Sequence, residues 1–260
     1  MKRFYLNTIL ALDEVINAPN EIVRHMHVLR VRVGELIEFF DGNNGSYQSE
    51  ILSLDKRSAT LKVIKINPLS PMPAIITSLA ISLVANDKMD IIIQKAVELG
   101  VNHIIPVYTE RSARIVDERS ANKLNHWQNI IISSCGQCGQ NLLPTIALPM
   151  PINSLYEKSE YDVRIIMNVP TYMSSSGLSR GSDVDKLDCH SIKSDTTIKQ
   201  AILLVGPEGG FTDEEVKRAT EHNYQSLQLG NLIMRAETAA IAGLSVLNLY
   251  TRAWGSPAHE

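Results

Sequence analysis

The chain has 260 residues, of which 44% are hydrophobic and 20% are charged. This composition is that of a soluble globular protein and excludes a disordered or fibrous chain, while the length predicts one large domain or two unequal ones. The net charge of -3 weighs against indiscriminate binding to nucleic acid, because phosphate contacts require lysine and arginine. Any nucleic-acid site must therefore come from local basic patches.

The cysteine count and the N-terminus together predict a cytoplasmic protein. Three cysteines cannot form a disulfide framework, and an odd count fits a reducing compartment. Lys2 and Arg3 precede apolar residues as they would in a signal peptide, but Asp13 and Glu14 interrupt that stretch and no small-residue cleavage site follows. We therefore expect neither secretion nor membrane insertion.

Residues 1–70 are predicted to form a small β-barrel or sandwich. Short alternating runs separated by turn signals are typical of such domains, and they occur at VGELIEFFDG, SYQSEILSLD and SATLKVIKI. The NPLSPMPA stretch that follows contains Pro68, Pro71 and Pro73, which stiffen the backbone and remove hydrogen-bond donors. A domain boundary is therefore predicted near residue 70.

Residues 71–260 change to an α/β pattern. Strands are predicted at residues 75–84, at HIIPVY, at residues 163–169 and 201–205, and at the short SLQLG. Helices are predicted at NDKMDIIIQKAVELG, where Gly100 is the stop signal, and at about residues 120–134. Strands that alternate with helices predict a mainly parallel sheet covered on both faces.

The serine-rich residues 171–199 are predicted to be a mobile surface insertion. They contain almost no apolar periodicity, so they offer little surface with which to join a core.

The stretch LLVGPEGGFTDEEV places a glycine loop between a strand and a helix. Thr212 and Glu215 have the spacing of a capping box, so the helix is predicted to begin after the glycines. Such a loop at the carboxyl end of a parallel strand is a common ligand site, but Glu208 would place an uncompensated carboxylate beside a phosphate. The loop has no lysine and neither GxGxxG nor GxxxxGK spacing, which favours a neutral or cationic ligand. The alternative is a tight turn with a solvated Glu208.

A second candidate region is LGNLIMRAETAAIAGLSVLNLY, residues 229–250. Leu229 and Gly230 are predicted to end a strand, and Arg235 and Glu237 flank the start of an alanine-rich helix. This would form a compact polar cluster beside apolar walls. The alternative is that Glu237 is a capping residue that forms a salt bridge with Arg235.

The two stretches GPEGGFTDEEV and LGNLIMRAETAA resemble the signatures of the SPOUT methyltransferases, and more narrowly those of the ribosomal RNA small subunit methyltransferase E family. Further matches, in the same order along the chain, are RFY, HVLR, FDG, KMDIIIQKAVELGV and WQNIIISSCGQCGQNLLPTI. They span nearly the whole chain outside the serine-rich insertion. Two positions depart from the pattern, since Gln140 stands where relatives often have arginine and Ala236 where many have threonine.

This resemblance implies a PUA-like β-barrel over residues 1–70 and a SPOUT domain over residues 71–260 whose chain is tied in a deep trefoil knot. It also implies a homodimer that transfers a methyl group from S-adenosyl-L-methionine to N3 of a uridine in 16S rRNA of the small ribosomal subunit. The cofactor would lie among three loops, with contacts from Val205, Gly206, Pro207, Glu208, Gly209, Gly210, Leu229, Gly230, Asn231, Ile233, Met234 and Thr238.

Arg235 and Glu237 are the predicted catalytic residues. Uracil N3 carries a weakly acidic proton, so its methylation requires removal of that proton and stabilisation of the resulting anion. We expect the Arg235 guanidinium to orient or stabilise the acceptor, and Glu237 to act as the base or to orient Arg235. Glu208 is expected to favour the sulfonium charge. Because N3 lies on the pairing edge, the base must be unpaired or flipped out.

Two local basic patches are predicted to bind RNA, and dimerisation would double both of them. The predicted RNA contacts are Arg3, Arg24, His27, Arg30, Arg32, Arg111 and Arg114. For each of them, a solvated surface role is the alternative. Cys135 and Cys138 form a CxxC pair without a second pair, so no metal site is predicted.

Two other functions stay open at this point. The first is a methyltransferase of the same fold that acts on tRNA or on a ribose hydroxyl. The second is a non-catalytic RNA-binding or ribosome-assembly protein.

Overall fold

The computed structural model describes residues 1–112, 120–168 and 198–251 of the chain. Its contacts divide the chain into two compact units. The first unit comprises Met1–Met72 and Ile132–Leu143, and the second comprises Pro73–Ile131 and Pro144–Glu260. The predicted insertion over residues 171–199 lies outside the described residues, apart from its last two.

The described residues contain strands and helices that we number in chain order. The strands are β1 (Lys2–Tyr5), β2 (Val15–Asn17), β3 (Leu36–Phe40), β4 (Ser46–Leu54), β5 (Ala59–Ile66), β6 (Ile76–Ser82), β7 (His103–Tyr108), β8 (Thr145–Ile146), β9 (Met150–Pro151), β10 (Val163–Met167), β11 (Gln200–Val205) and β12 (Gln225–Leu227). The helices are α1 (Asn20–Val28), α2 (Asn86–Glu98), α3 (Ser120–Cys138), α4 (Ile152–Tyr156), α5 (Asp213–Glu221) and α6 (Ala236–Thr251).

The first unit is built on a five-stranded sheet in the order β1-β3-β4-β5-β2. The pair β1–β3 is parallel and the other pairs are antiparallel. Alternate residues of each strand point to one face, so Ile37 and Phe39 of β3 join a single buried core. Val23 and Met26 of α1, a helix that the sequence patterns did not predict, enter the same core.

Residues far apart in sequence complete the first unit. Arg3 of β1 donates a hydrogen bond to the carbonyl oxygen of Cys135 at 3.0 Å and another to the side-chain oxygen of Asn141. The backbone N–H of Leu143 donates to the carbonyl oxygen of Gly42 at 3.0 Å. The residues 132–143 therefore belong to the fold of the N-terminal sheet.

The second unit contains a seven-stranded parallel sheet in the order β12-β10-β11-β6-β7-β8, with β9 also paired to β7. The predicted parallel sheet is thus confirmed. Its central strands β6 and β11 are buried almost throughout, because helices cover both faces. No helix among the described residues has the length and apolar content needed to cross a membrane.

The two faces of this sheet are covered by different helices. On one face Ile202 and Leu204 of β11 pack with residues of α4 and α5. On the other face α6 packs against β11 and α2, and a Cβ at Gly243 would lie 2.8 Å from the Leu203 side chain. Only glycine permits so close an approach of helix and strand.

The predicted helix stop at Gly100 is also confirmed. Gly100 has a φ of 76°, and its N–H and that of Val101 bond back to Val97 and Ala96 in a Schellman motif. The prediction for Leu229 and Gly230 was wrong, because β12 ends at Leu227 and both residues lie in the loop before α6.

Candidate active site

A cleft in the second unit lies where β10, β11 and β12 end and α6 begins. Because these strands are parallel, their carboxyl ends meet at one edge of the sheet, and the loops that follow them form the walls. The cleft encloses about 560 Å³, part of which is open to solvent. Its lining residues are Met167, Asn168, Val205, Gly206, Pro207, Gly210, Phe211, Gln228, Leu229, Leu232, Ile233, Met234, Ala236 and Ala239.

The glycine loop after β11 forms one wall of this cleft. Its centre is a turn in which the Gly210 N–H donates to the carbonyl oxygen of Pro207 at 2.9 Å. Gly210 has a φ of 68°, a conformation that side chains disfavour. A Cβ at Gly206 would lie 3.0 Å from the Phe211 ring, and Phe211 itself lines the cleft. Both glycines therefore have a steric reason to be glycine.

The helix after the loop begins as the sequence predicts. Thr212 caps α5 with its hydroxyl, which accepts from the Glu215 N–H, while the Glu215 carboxylate accepts from the Thr212 N–H at 2.8 Å. Glu215 is buried and also accepts from the N–H of Glu110 at 2.9 Å. These side chains satisfy N–H groups at the helix start that would otherwise be available to a phosphate.

Glu208 does not carry an uncompensated charge, and the expectation that it does was wrong. Its carboxylate forms a salt bridge of 2.9 Å with the ammonium group of Lys88, in the first turn of α2. This hydrogen bond is the main cause that lowers the pKa of Glu208. Lys88 lies 120 positions earlier in the chain, so the sequence of the loop alone could not predict this salt bridge.

The second predicted stretch supplies the opposite wall. Leu229, Ile233 and Met234 line the cleft, and the exposed Arg235 directly precedes α6. Within the described residues no ion pair joins Arg235 to Glu237. The structure therefore does not show the alternative arrangement, in which Glu237 caps the helix and forms a salt bridge with Arg235. One carboxylate oxygen of Glu237, Oε2, is buried and accepts no hydrogen bond from the described residues.

Lys88 lies near both predicted catalytic residues as well as Glu208. Glu208 is the main cause that raises the pKa of Lys88, with a further contribution in the same direction from Glu237 and an opposing one from Arg235. Lys88 thus interacts electrostatically with Arg235 and with two carboxylates, those of Glu208 and Glu237.

The structure brings part of the predicted cofactor set to the cleft. The predicted residues that line it are Val205, Gly206, Pro207, Gly210, Leu229, Ile233 and Met234. Those that do not line it are Glu208, Gly209, Gly230, Asn231 and Thr238. Met167 and Asn168 also line the cleft and were not predicted, although the rule that parallel strands end at one edge points to them.

The predicted RNA contacts have different surroundings. Arg24, His27, Arg30 and Arg32 are exposed on and just after α1, where His27 Nε2 donates to the carbonyl oxygen of Asp55 at 2.9 Å. Arg114 lies outside the described residues. The set contains two further residues, Arg3 and Arg111.

Arg3 and Arg111 both make specific contacts inside their own units. The side chain of Arg3 is only 11% exposed and forms a salt bridge of 3.0 Å with Glu38. The Nη1 of Arg111 donates to the carbonyl oxygen of Gly209 at 2.8 Å, which places Arg111 on the glycine loop. Arg3 therefore has little surface left for RNA, whereas Arg111 is exposed beside the cleft.

The CxxC pair at the end of α3 consists of free thiols. Cys135 is buried and Cys138 is exposed. Among the described residues, no group of three or more histidine, cysteine, aspartate or glutamate side chains is arranged to hold a metal ion.

Two protein-family models match successive parts of the chain. Residues 71–248 match the model of the RNA methyltransferase domain, and residues 18–64 match that of the RNA methyltransferase PUA domain. A ribosomal RNA small subunit methyltransferase E from Neisseria gonorrhoeae, solved bound to S-adenosyl methionine, is 32% identical over 96% of this chain and 97% of that chain, with a TM-score of 0.82. The chain belongs to the ribosomal RNA small subunit methyltransferase E family.

Two other proteins are similar to this chain along nearly their whole length. The ribosomal RNA small subunit methyltransferase E of Buchnera aphidicola from Schizaphis graminum is 28% identical over 95% of both chains. A methyltransferase structure from Legionella pneumophila in complex with the cofactor S-adenosyl methionine is 28% identical, covers 95% of this chain and 97% of that chain, and has a TM-score of 0.82. The expected family and fold class are thus confirmed.

Proposed function

We propose that this chain transfers a methyl group from S-adenosyl-L-methionine to N3 of a uridine in 16S rRNA of the small ribosomal subunit. The observation that carries the proposal is the cleft at the carboxyl edge of the parallel sheet, between the glycine loop and the start of α6. This cleft supports the proposal because the chain belongs to a family of ribosomal RNA methyltransferases.

The residues of the cleft fit this cofactor. Leu229, Ile233 and Met234 offer apolar surface for the adenine ring, and the backbone of Gly206 and Gly210 allows close approach. The capped start of α5 does not present its N–H groups as a phosphate site would. When bound, S-adenosylmethionine supplies an electrophilic methyl group that needs little activation.

The work of the protein is then to hold and prepare the acceptor base. Arg235 is exposed at the rim, where its guanidinium can hold a uracil carbonyl with two donors and stabilise the anion formed at N3. Glu237 accepts the N3 proton or orients Arg235, and its buried Oε2 lacks a hydrogen bond within the described residues. Positioning of the reacting atoms provides the rest.

We further propose that the enzyme is a cytoplasmic homodimer. Leu232 and Ile233, which line the cleft, are 79% and 58% exposed, and Leu249 of α6 is also 79% exposed. Contiguous exposed apolar patches mark surfaces that another chain covers, and we propose that these three side chains form part of such a patch. Residues 1–70, with the exposed cations of α1, are assigned to RNA binding, and residues 71–260 to methyl transfer.

The deciding experiment is nucleoside mass spectrometry of 16S rRNA and, separately, of tRNA from cells with and without the gene. We expect 3-methyluridine to disappear on deletion and to return with the wild-type gene. Loss of a methylated tRNA nucleoside or of a ribose methyl group would instead support another SPOUT activity. Unchanged 3-methyluridine would support the non-catalytic alternative.

A further inference from the structure

Two cations from separate elements hold the middle of the glycine turn. The turn runs from Pro207 to Gly210, so Glu208 and Gly209 are its central residues. The Lys88 ammonium of α2 binds the Glu208 carboxylate at 2.9 Å, and the Arg111 guanidinium, three residues after β7, binds the Gly209 carbonyl oxygen at 2.8 Å. Each central residue therefore has its own external anchor.

The anchored residues do not line the cleft, while their neighbours form its wall. Pro207 and Gly210 line the cleft, whereas Glu208 and Gly209 do not. Because the four residues form one hydrogen-bonded turn, holding Glu208 and Gly209 in place also holds Pro207 and Gly210.

The Arg111 side chain is fitted against the turn along its length. A Cβ at Gly209 would lie 3.3 Å from Cδ and 3.4 Å from Cβ of Arg111. The glycine thus leaves room for the arginine stem, and the guanidinium reaches the carbonyl of the same residue. A cation that served only as a solvated RNA contact would not need this fit.

The Lys88–Glu208 pair is better suited to fix geometry than to stabilise the fold. Its side chains are 29% and 43% exposed, and exposed ion pairs contribute little to folding stability. Its loss should therefore change the shape of the loop while leaving the domain folded.

We propose that Lys88 and Arg111 are positioning residues that hold the glycine turn in the shape that binds S-adenosylmethionine. This role rests on the proposed function, because it assigns the cleft to that cofactor. It also moves Arg111 from the RNA contacts to the support of the cofactor wall.

The test is calorimetric titration of S-adenosylmethionine into Lys88→Met, Arg111→Gln and the double variant, with steady-state kinetics on 16S rRNA. We expect the dissociation constant and the KM for the cofactor to rise about three- to tenfold in each single variant, in line with the modest energy of partly exposed charged hydrogen bonds. The kcat at saturating cofactor should change less than twofold. The matched control is Lys95→Met, because Lys95 lies on the same helix but pairs with Glu98 at 2.9 Å, away from the loop.

Two further variants separate a positioning role from general damage. Lys88→Arg should restore most of the cofactor affinity, and the exchange of Lys88→Glu with Glu208→Lys should bind more tightly than either single reversal. Thermal unfolding of all variants should stay close to that of the wild type. A uniform loss of thermal stability that accounts for the weaker binding would overturn the positioning role.

The remaining outcomes distinguish failure of the positioning role from failure of the proposed function. Unchanged cofactor affinity in the double variant would overturn the proposal alone. Loss of RNA affinity in Arg111→Gln with unchanged cofactor affinity would return Arg111 to the RNA contacts and refute its positioning role. A wild-type chain that fails to bind S-adenosylmethionine would refute the proposed function, and this proposal with it.

Discussion

The carboxylate of Glu215 accepts a hydrogen bond from the backbone N–H of Glu110 at 2.9 Å, across 105 positions of sequence. The same side chain completes the cap of α5 through the N–H of Thr212. One buried carboxylate therefore satisfies two backbone donors from different parts of the chain, the start of α5 and the turn after β7.

Replacement of Glu215 should destabilise the protein more than replacement of its capping partner. We expect Glu215→Ala to lower the free energy of unfolding by about 2 kcal/mol, because it removes a buried carboxylate and leaves two partly buried donors without their partner, and Thr212→Ala by about 1 kcal/mol. Urea denaturation would measure both. Glu214→Ala, an exposed change in the same helical turn, is the control and should be nearly neutral. Equal losses for Glu215 and Glu214 would show that the buried bonds contribute little.

A side chain at Gly206 should weaken cofactor binding. Its Cβ would press on the Phe211 ring from 3.0 Å, and Phe211 forms part of the cleft wall. We expect Gly206→Val to raise the dissociation constant of S-adenosylmethionine by at least tenfold, as estimated roughly from the cost of overpacking. Calorimetry checks this, with Gly136→Ala as control because its Cβ makes only ordinary contacts. Normal affinity in Gly206→Val would remove the glycine loop from the cofactor site.

Arg235→Ala should separate turnover from cofactor binding. Loss of a group that stabilises charge in the transition state typically lowers kcat by about 10²–10³-fold. The affinity for S-adenosylmethionine should change little, because Arg235 does not line the cleft. Single-turnover methylation and calorimetry measure the two quantities separately, and Arg218→Ala on α5 is a suitable control. Equal losses in both quantities would move Arg235 to the cofactor-binding residues.

Arg30 should lower the stability of the fold and raise the affinity for RNA. It has a φ of 53° in the Schellman motif after α1, the position that Gly100 occupies after α2. Arg30→Gly should therefore stabilise the protein by about 1 kcal/mol, since glycine adopts this conformation without steric cost. We expect its RNA affinity to fall at the same time.

The variant Arg30→Lys is the control for charge, because it keeps both the cation and the unfavourable backbone conformation. Thermal unfolding and filter binding to 16S rRNA fragments provide the measurements. A variant Arg30→Gly that is more stable and binds RNA normally would show that Arg30 makes no RNA contact.

The two cysteines of α3 should react at very different rates. Burial raises the pKa of Cys135 to about 12, whereas Cys138 is exposed. The thiolate is the reactive form, and its fraction falls as the pKa rises above the solution pH, so Cys135 is almost entirely protonated at pH 8. Peptide mass spectrometry after brief treatment with iodoacetamide should find Cys138 modified and Cys135 intact. Equal labelling would show that the end of α3 opens readily.

Local patterns in the sequence predicted much of the second unit. Continuous apolar runs marked β6 and β11, and the spacing of Thr212 and Glu215 located the start of α5. The helix α1 was missed because it is short and lies between strands. Such a helix depends on the burial of Val23 and Met26 rather than on local propensity.

Long-range relationships could not be predicted from local patterns. The partner of Glu208 is a lysine on another helix, and the carbonyl of Gly209 is bound by an arginine after another strand. The sequence of the loop does not indicate either partner. The trefoil knot was implied by the family resemblance alone, because periodicity contains no information on how a chain threads.

The contacts of Arg3 with residues 135 and 141 also have a consequence for the order of folding during synthesis. Domains at the N-terminus usually fold first as the chain leaves the ribosome. Here the N-terminal sheet can form early, and Arg3 can pair with Glu38, but Arg3 and Gly42 lack their partners in residues 132–143 until residue 143 has emerged. The first unit to be translated is therefore completed only after more than half of the chain has been made.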